Sequence, residues 1–203
     1  AGKNAKFKQL LVIGIGGSDL GARALQSIFE AKLKGVEILF LGDTPDPVEL
    51  KRVCKQIDWK HCAINPVSKS GNTVEPLSTF FYTRKLLIKA VGKAKHAKHV
   101  FVTTQDQPSL FKELVDQHGY TLIPHPQTIG GRWTVLSIVG LFSAAASGID
   151  TSLLKKGAQA FYLNAKKNKA NPAMLHAALH YLGIQQGQSL GVLMPYGSNL
   201  ESF

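Results

Sequence analysis

The sequence predicts an α/β fold: a parallel five-stranded sheet with helices on both faces. Three observations carry this reading. Five short runs rich in Val, Ile and Leu are apolar almost without interruption, as strands covered on both faces should be. Each run is followed by a stretch with helical periodicity. Glycines and N-capping residues punctuate the junctions, so strand and helix alternate as successive βα units with right-handed crossovers.

In chain order, the first strand is expected at 10–16, where Leu10, Leu11, Val12 and Ile13 run into Gly14-Ile15-Gly16-Gly17-Ser18. A helix should follow over 19–33, with Gly35 at its end. After a strand at 37–42, Asp46 is an N-cap and Pro47 the first residue of a helix over 47–56. The third strand, 62–68, enters Ser68-Lys69-Ser70-Gly71-Asn72-Thr73. Thr73 is placed to cap a helix over 74–91, whose Leu77, Phe80, Phe81, Leu87, Ile88 and Val91 form a broad apolar face ending at Gly92. A strand at 100–104, a helix over 108–118, Gly119 and a strand at 121–124 complete the series.

After Gly130-Gly131-Arg132 the pattern changes. Helices are expected over 133–147, 152–167 and 172–186, then a new strand at 190–195 and a turn at Tyr196-Gly197-Ser198. Residues 1–150 therefore read as one domain, and 151–203 as connecting helices and the incomplete start of a second. The chain opens without Met and stops at Phe203 just after a turn, which reads as a fragment of a longer protein.

With 44% apolar residues in 203, a packed core is within reach and disorder is not expected. The net charge of +11 suggests anionic partners, but the lysines are scattered and not interleaved with aromatics, so no nucleic acid is expected. No apolar run approaches the ~20 residues that span a bilayer, and no signal peptide is visible. Cys54 and Cys62 fit neither a zinc nor a redox spacing and read as free thiols of a cytoplasmic protein. His176 and His180 are four apart, but with no Glu between them and no third ligand they do not make a metal site. His96 and His99, set among lysines, are expected at the surface.

Three segments carry chemistry. The first glycine loop fails the dinucleotide fingerprint because Asp19 stands at the third glycine position, and no Gly-Lys-Ser/Thr follows. Gly16-Gly17-Ser18 is then either a tight turn capped by Ser18 or a backbone approach to a ligand. The second loop places Ser68, Ser70 and Thr73 within six residues, at the start of a helix whose amides and dipole favour an anion. Gly71 there permits a positive φ. Lys69 adds a charge or faces solvent. Glu75 complements the helix dipole or holds Lys69. In the third, Gly130-Gly131-Arg132-Trp133-Thr134, the Arg132 fork clamps an oxyanion or pairs with a surface carboxylate. Two strand-to-helix junctions at one sheet edge would offer a shared cup to a small phosphorylated metabolite.

These residues resemble the glucose-6-phosphate isomerase family. The match runs through Ile13-Gly14-Ile15-Gly16-Gly17-Ser18-Asp19-Leu20-Gly21, Ser68-Lys69-Ser70-Gly71-Asn72-Thr73-Val74-Glu75 and Gly130-Gly131-Arg132-Trp133-Thr134-Val135-Leu136-Ser137, and continues to Met194-Pro195-Tyr196. The serine-rich motif alone marks sugar isomerase domains in general; the Gly-Gly-Arg segment narrows it. The resemblance implies two α/β domains, a homodimer when full length, and conversion of glucose 6-phosphate to fructose 6-phosphate without cofactor or metal. It implies that Ser68, Ser70 and Thr73 grip the phosphate with Lys69 beside them. Gly17 and Ser18 would line the sugar pocket, and Arg132, preceded by Gly131, would stabilise the enediolate-like intermediate. The family's proton-transfer Glu belongs to a later motif, so this piece alone is expected to be inactive. The alternative is a non-catalytic sugar-phosphate-binding regulatory module.

Overall fold

The structure is a computed structural model that describes residues 7–30, 33–168, 171–194 and 196–197. Pro195 and Ser198, in the last expected strand and turn, lie outside the described residues. The strands are β1 (Gln9–Ile13), β2 (Glu37–Leu41), β3 (Cys62–Pro66), β4 (Phe101–Thr104) and β5 (Thr121–Pro124). All their pairings are parallel. β1 lies between β2 and β3, with Ile13 opposite both Leu41 and Pro66, and β4 pairs with β5. Two isolated bridges, Ile64 to Val100 and Val67 to Thr103, join these ladders into the order 2-1-3-4-5. At that seam the buried Asn65 side chain donates to the Phe101 carbonyl and to Thr103 Oγ1 (2.5 and 2.9 Å). A side chain therefore uses the carbonyl that a continuous ladder would engage.

The alternation of side chains along each strand splits the core in two. Leu11, Ile13, Cys62, Ile64, Val100 and Val102 face one way. They pack against α2 (Pro47–Cys54), α3 (Val74–Val91) and α4 (Leu110–His118) through Val53, Leu77, Phe80, Leu87, Phe111 and Val115. Leu10, Val12, Ala63 and Val67 face the other way, onto Val139 and Phe142 of α5 (Ile138–Ala146), and α1 (Leu20–Phe29) packs beside α5. Phe80 is fully buried and meets Phe111 and Tyr120 edge-on at 5.7 and 6.0 Å.

Several helix ends form as their residues dictate. Asp46 accepts from the Val48 amide (2.9 Å), Ser109 from that of Lys112 (3.3 Å), and Gly119 closes α4 in the left-handed region. Others differ from expectation. α1 starts at Leu20, after a 3-10 turn over Gly16–Ser18, and ends at Phe29. Gly35 is thus no cap; its amide donates to the Ser147 carbonyl (3.0 Å). The helix expected from 133 begins only at Ile138, because Ser137 takes the cap, accepting from Val139 (3.2 Å).

His96 and His99 are buried, not at the surface. Polar partners compensate for the burial. His96 Nδ1 donates to the Lys93 carbonyl (2.6 Å), leaving Nε2 to accept from the Tyr120 hydroxyl (3.1 Å). His99 Nδ1 donates to the Cys62 carbonyl (2.9 Å).

The described residues fall into two compact units, one ending at Ile149 and one starting at Asp150. The second contains α6 (Thr151–Lys167) and α7 (Pro172–Gln185). Asp150 Oδ1 caps the former by accepting from Ser152 and Leu153 (2.8 and 3.1 Å), and Asn171 Oδ1 the latter by accepting from Met174 (3.0 Å). Of the strand expected at 190–195, the described residues 190–194 are exposed and irregular, with no strand ladder among the described residues to satisfy their backbone. Among the described residues no helix is long and apolar enough to cross a membrane.

Candidate functional site

Strand order alone marks one place for a ligand. From β1 the chain crosses to β2 on one side, and from β3 it crosses to β4 on the other. The loops leaving β1 and β3 therefore part at a topological switch point, where open parallel sheets form a crevice at the strands' carboxyl ends. Ile13 lies opposite Pro66 there, and the Val67 amide donates to the Ile13 carbonyl (2.8 Å).

The glycine loop after β1 meets the segment that follows β5. A Cβ on Gly17 would stand 1.7 Å from the Gly131 carbonyl oxygen, so only glycine fits at 17. The buried Thr134 hydroxyl is shared between the Gly17 carbonyl and the Gly131 carbonyl. Ser18 is half-buried, and among the described residues its hydroxyl has no hydrogen-bond partner.

The hydroxyl loop after β3 is organised from inside. Ser68 is buried; its Oγ lies 2.8 Å from Thr73 Oγ1 and accepts from the Gly71 amide (3.2 Å). Gly71 has φ +71°, and a Cβ on it would fall 2.2 Å from Ser109 Oγ. Thr73 stands at the expected N-cap of α3 but turns its hydroxyl to Ser68 rather than onto the helix amides. The start of an 18-residue helix is thus left without a side-chain cap, its Val74 and Glu75 amides available to an anion, Pro76 having no N–H to offer. Ser70 is exposed and accepts from the Asn72 amide (3.3 Å). Asn72 Oδ1 accepts from Leu110 (3.0 Å), tying the loop to α4.

Lys69 is half-buried and turns to main-chain carbonyls rather than to Glu75. Its ammonium donates to the carbonyls of Gln127 and Ile129 (3.0 and 2.9 Å). Arg132 is exposed and, among the described residues, forms no ion pair. The three segments singled out in the sequence are therefore tied together: Gly17 to Gly131, Thr134 to Gly17, and Lys69 to the approach to Arg132.

Two residues gain importance that the sequence reading did not give them. Thr134 stood inside a quoted motif without a role. Asp19 served only to break a fingerprint, yet it is fully buried beside Ser18, and its Oδ2 accepts from Arg23 Nε (2.7 Å). Among the described residues its Oδ1 has no hydrogen-bond partner, and burial raises the carboxyl above its ordinary range against the pull of Arg23. The spacing of Asp19 and Arg23, one helical turn apart, was the available signal.

The two cysteines do not join this edge. Cys54 and Cys62 are free and buried, and burial pushes their thiols up to about 11 and about 12. The His176 and His180 rings meet edge-on at 4.4 Å in the second unit. Among the described residues no three His, Cys, Asp or Glu side chains are grouped to hold a metal ion.

The phosphoglucose isomerase family profile matches residues 1–203. The chain is 33% identical over 205 residues to a glucose-6-phosphate isomerase of Bacillus cereus (strain B4264), covering 96% of this chain and 46% of that protein. It spans about half the length of the curated relatives it matches. Among solved structures, a hypothetical protein from Thermus thermophilus superposes with a TM-score of 0.82 at 29% identity, over 98% of this chain and 47% of that one. A glucose-6-phosphate isomerase from Chlamydia trachomatis superposes with a TM-score of 0.61 at 31% identity, over 71% of this chain and 27% of that one.

Proposed function

The chain belongs to the phosphoglucose isomerase family, and on that premise we propose that it carries the phosphate grip and the oxyanion-stabilising arginine of an enzyme interconverting glucose 6-phosphate and fructose 6-phosphate. The single observation that supports this most is the contact of the Gly17 and Gly131 backbones, which brings the Arg132 segment to the edge where the hydroxyl loop ends.

The chemistry divides accordingly. The phosphate is met by Ser68, Ser70 and Thr73, the main chain at Lys69 and the uncapped amides of α3. Its distance from the reacting carbons lets that binding orient the sugar. Gly17 and Ser18 line the sugar pocket. Isomerisation shifts a proton between neighbouring carbons through an enediolate, so negative charge grows on an oxygen, and a fixed guanidinium beside Gly131 stabilises it. The base lies in the part of the protein beyond this chain, so the chain alone does not turn over substrate. In this reading residues 1–150 are the sugar isomerase domain, 151–203 begin the second, and the full-length protein is a cytoplasmic homodimer in sugar-phosphate metabolism.

The test is turnover of glucose 6-phosphate by the full-length protein and its Arg132→Ala variant. Loss of one oxyanion-stabilising group should lower kcat by about 100-fold or more with little change in KM. A fully active variant would remove Arg132 from the reaction. Tight binding of the sugar phosphate without turnover by the full-length protein would instead favour the regulatory module.

A further inference from the structure

We propose that Lys69 is a positioning residue: it braces the strap 127–131 and so sets the direction of Arg132, instead of neutralising the phosphate. This rests on the reading of the site given above. The ammonium of Lys69 places two of its three donors on main-chain carbonyls of that strap, Gln127 at 3.0 Å and Ile129 at 2.9 Å. Charge-assisted bonds of this length are stronger than neutral ones. Two acceptors two residues apart fix the strap's position and its local orientation together.

The brace stands on firm ground. The Lys69 carbonyl accepts from the Gln105 amide (3.2 Å), and the Ser68 amide next to it donates to Thr103 (3.0 Å). Lys69 is therefore anchored to the chain that leaves β4. At the far end of the strap, Thr134 is fixed to the carbonyls of Gly17 and Gly131. Arg132 lies between the two ties, exposed, with no carboxylate among the described residues to hold its guanidinium. Its aim must come from its backbone, and that backbone is held by Lys69 on one side and Thr134 on the other. Oxyanion stabilisation depends on such fixing, because a group that reorganises during the reaction loses much of its effect.

The experiment compares the full-length protein with its Lys69→Met and Lys69→Arg variants, by amide hydrogen exchange and by kinetics with inorganic phosphate as competitor. In Lys69→Met, exchange should rise about tenfold over 127–132 while β1 and β3 keep their protection. In Lys69→Arg, which can still donate to two carbonyls, it should stay within about threefold of the parent. kcat should fall about tenfold in Lys69→Met with KM and phosphate inhibition nearly unchanged, and adding Arg132→Ala should cost no more than Arg132→Ala alone.

Unchanged exchange with about tenfold weaker phosphate inhibition would make Lys69 a phosphate ligand and overturn the brace. So would exchange that rises equally in β1 and β3, or strictly additive losses of kcat. A full-length protein without isomerase activity would sink the proposed function, while the exchange measurement would still decide the brace.

Discussion

The Gly131 carbonyl oxygen occupies the place where Gly17 would carry a side chain, 1.7 Å from an ideal Cβ. The contact joins a loop that leaves β1 to one that arrives from β5, the edge strand three places away in the sheet order. Even the smallest side chain at 17 must push the Arg132 segment away. Gly17→Ala should therefore cost about 1–3 kcal/mol of stability and lower kcat about 100-fold through misplacement of a catalytic group. Denaturant midpoints and steady-state rates on the full-length protein check both. An alanine variant of full activity would mean that the contact does not set the site.

Ser68 and Ser70 should separate structure from binding. Ser68 is buried, and its Oγ is one of two acceptors of the Gly71 amide and the partner of Thr73 Oγ1, so Ser68→Ala should destabilise by about 0.5–1.5 kcal/mol as well as weakening phosphate binding. Ser70 is exposed. Ser70→Ala should weaken phosphate inhibition severalfold and leave the melting temperature within about 1 °C. Equal thermal losses in both variants would contradict this division.

The cluster of Arg84, Tyr120, His96 and His118 should make stability depend on pH. Burial first, then the charges of Arg84, His96 and Lys93, lower the His118 pKa below its ordinary 6.5. Arg84 also donates to His118 Nε2 (2.9 Å), which requires a neutral ring. With the folded value depressed, the unfolded chain takes up the proton first. Stability should hold above pH 6.5 and be lost as the pH falls from there through the lowered folded value. Urea midpoints measured from pH 7.5 down to about 5.5 should fall less steeply in His118→Gln than in the parent. Parallel slopes would exclude His118 as the source.

Phe80→Ala tests the core without touching the site. The ring is fully buried between Phe111 and Tyr120, and its loss should cost about 3–5 kcal/mol. Phosphate affinity at a temperature where the variant remains folded should be unchanged. A loss below about 1 kcal/mol would show that the neighbours collapse into the space.

Much of this was legible in the sequence because local chemistry decided it. Strands such as Gln9–Ile13 and Cys62–Pro66 are buried at every position, as short runs covered on both faces should be, and Asp46-Pro47 pairs a capping carboxylate with a residue preset for the first helical turn. The loops bearing Ser68, Ser70 and Thr73, and Gly131 with Arg132, stood out because hydroxyls, glycines and a cation are dense there. What could not be read depends on partners that the local pattern does not name. Thr73 is a sound N-cap by position, yet Ser68 claims its hydroxyl. Lys69 suits solvent until the strap at 127–129 arrives beside it. His96 and His99 look exposed among lysines, and only the fold supplies the carbonyls and the Tyr120 hydroxyl that let them be buried. The apolar run from Leu190 has strand composition but no strand to pair with among the described residues.

Between β3 and β4 the sheet is stitched at two bridges and by one amide side chain instead of being continuously laddered. The line through Asn65 thus separates the ladders, three strands on one side and two on the other, while one apolar core packs against both. Ser68, which follows β3, hangs from the Thr103 carbonyl of β4 at the top of this line, so the hydroxyl loop is tied to both sets of strands. The seam therefore ends beneath the hydroxyl loop, and in the proposed function an anion gripped there would bear on both sets of strands at once.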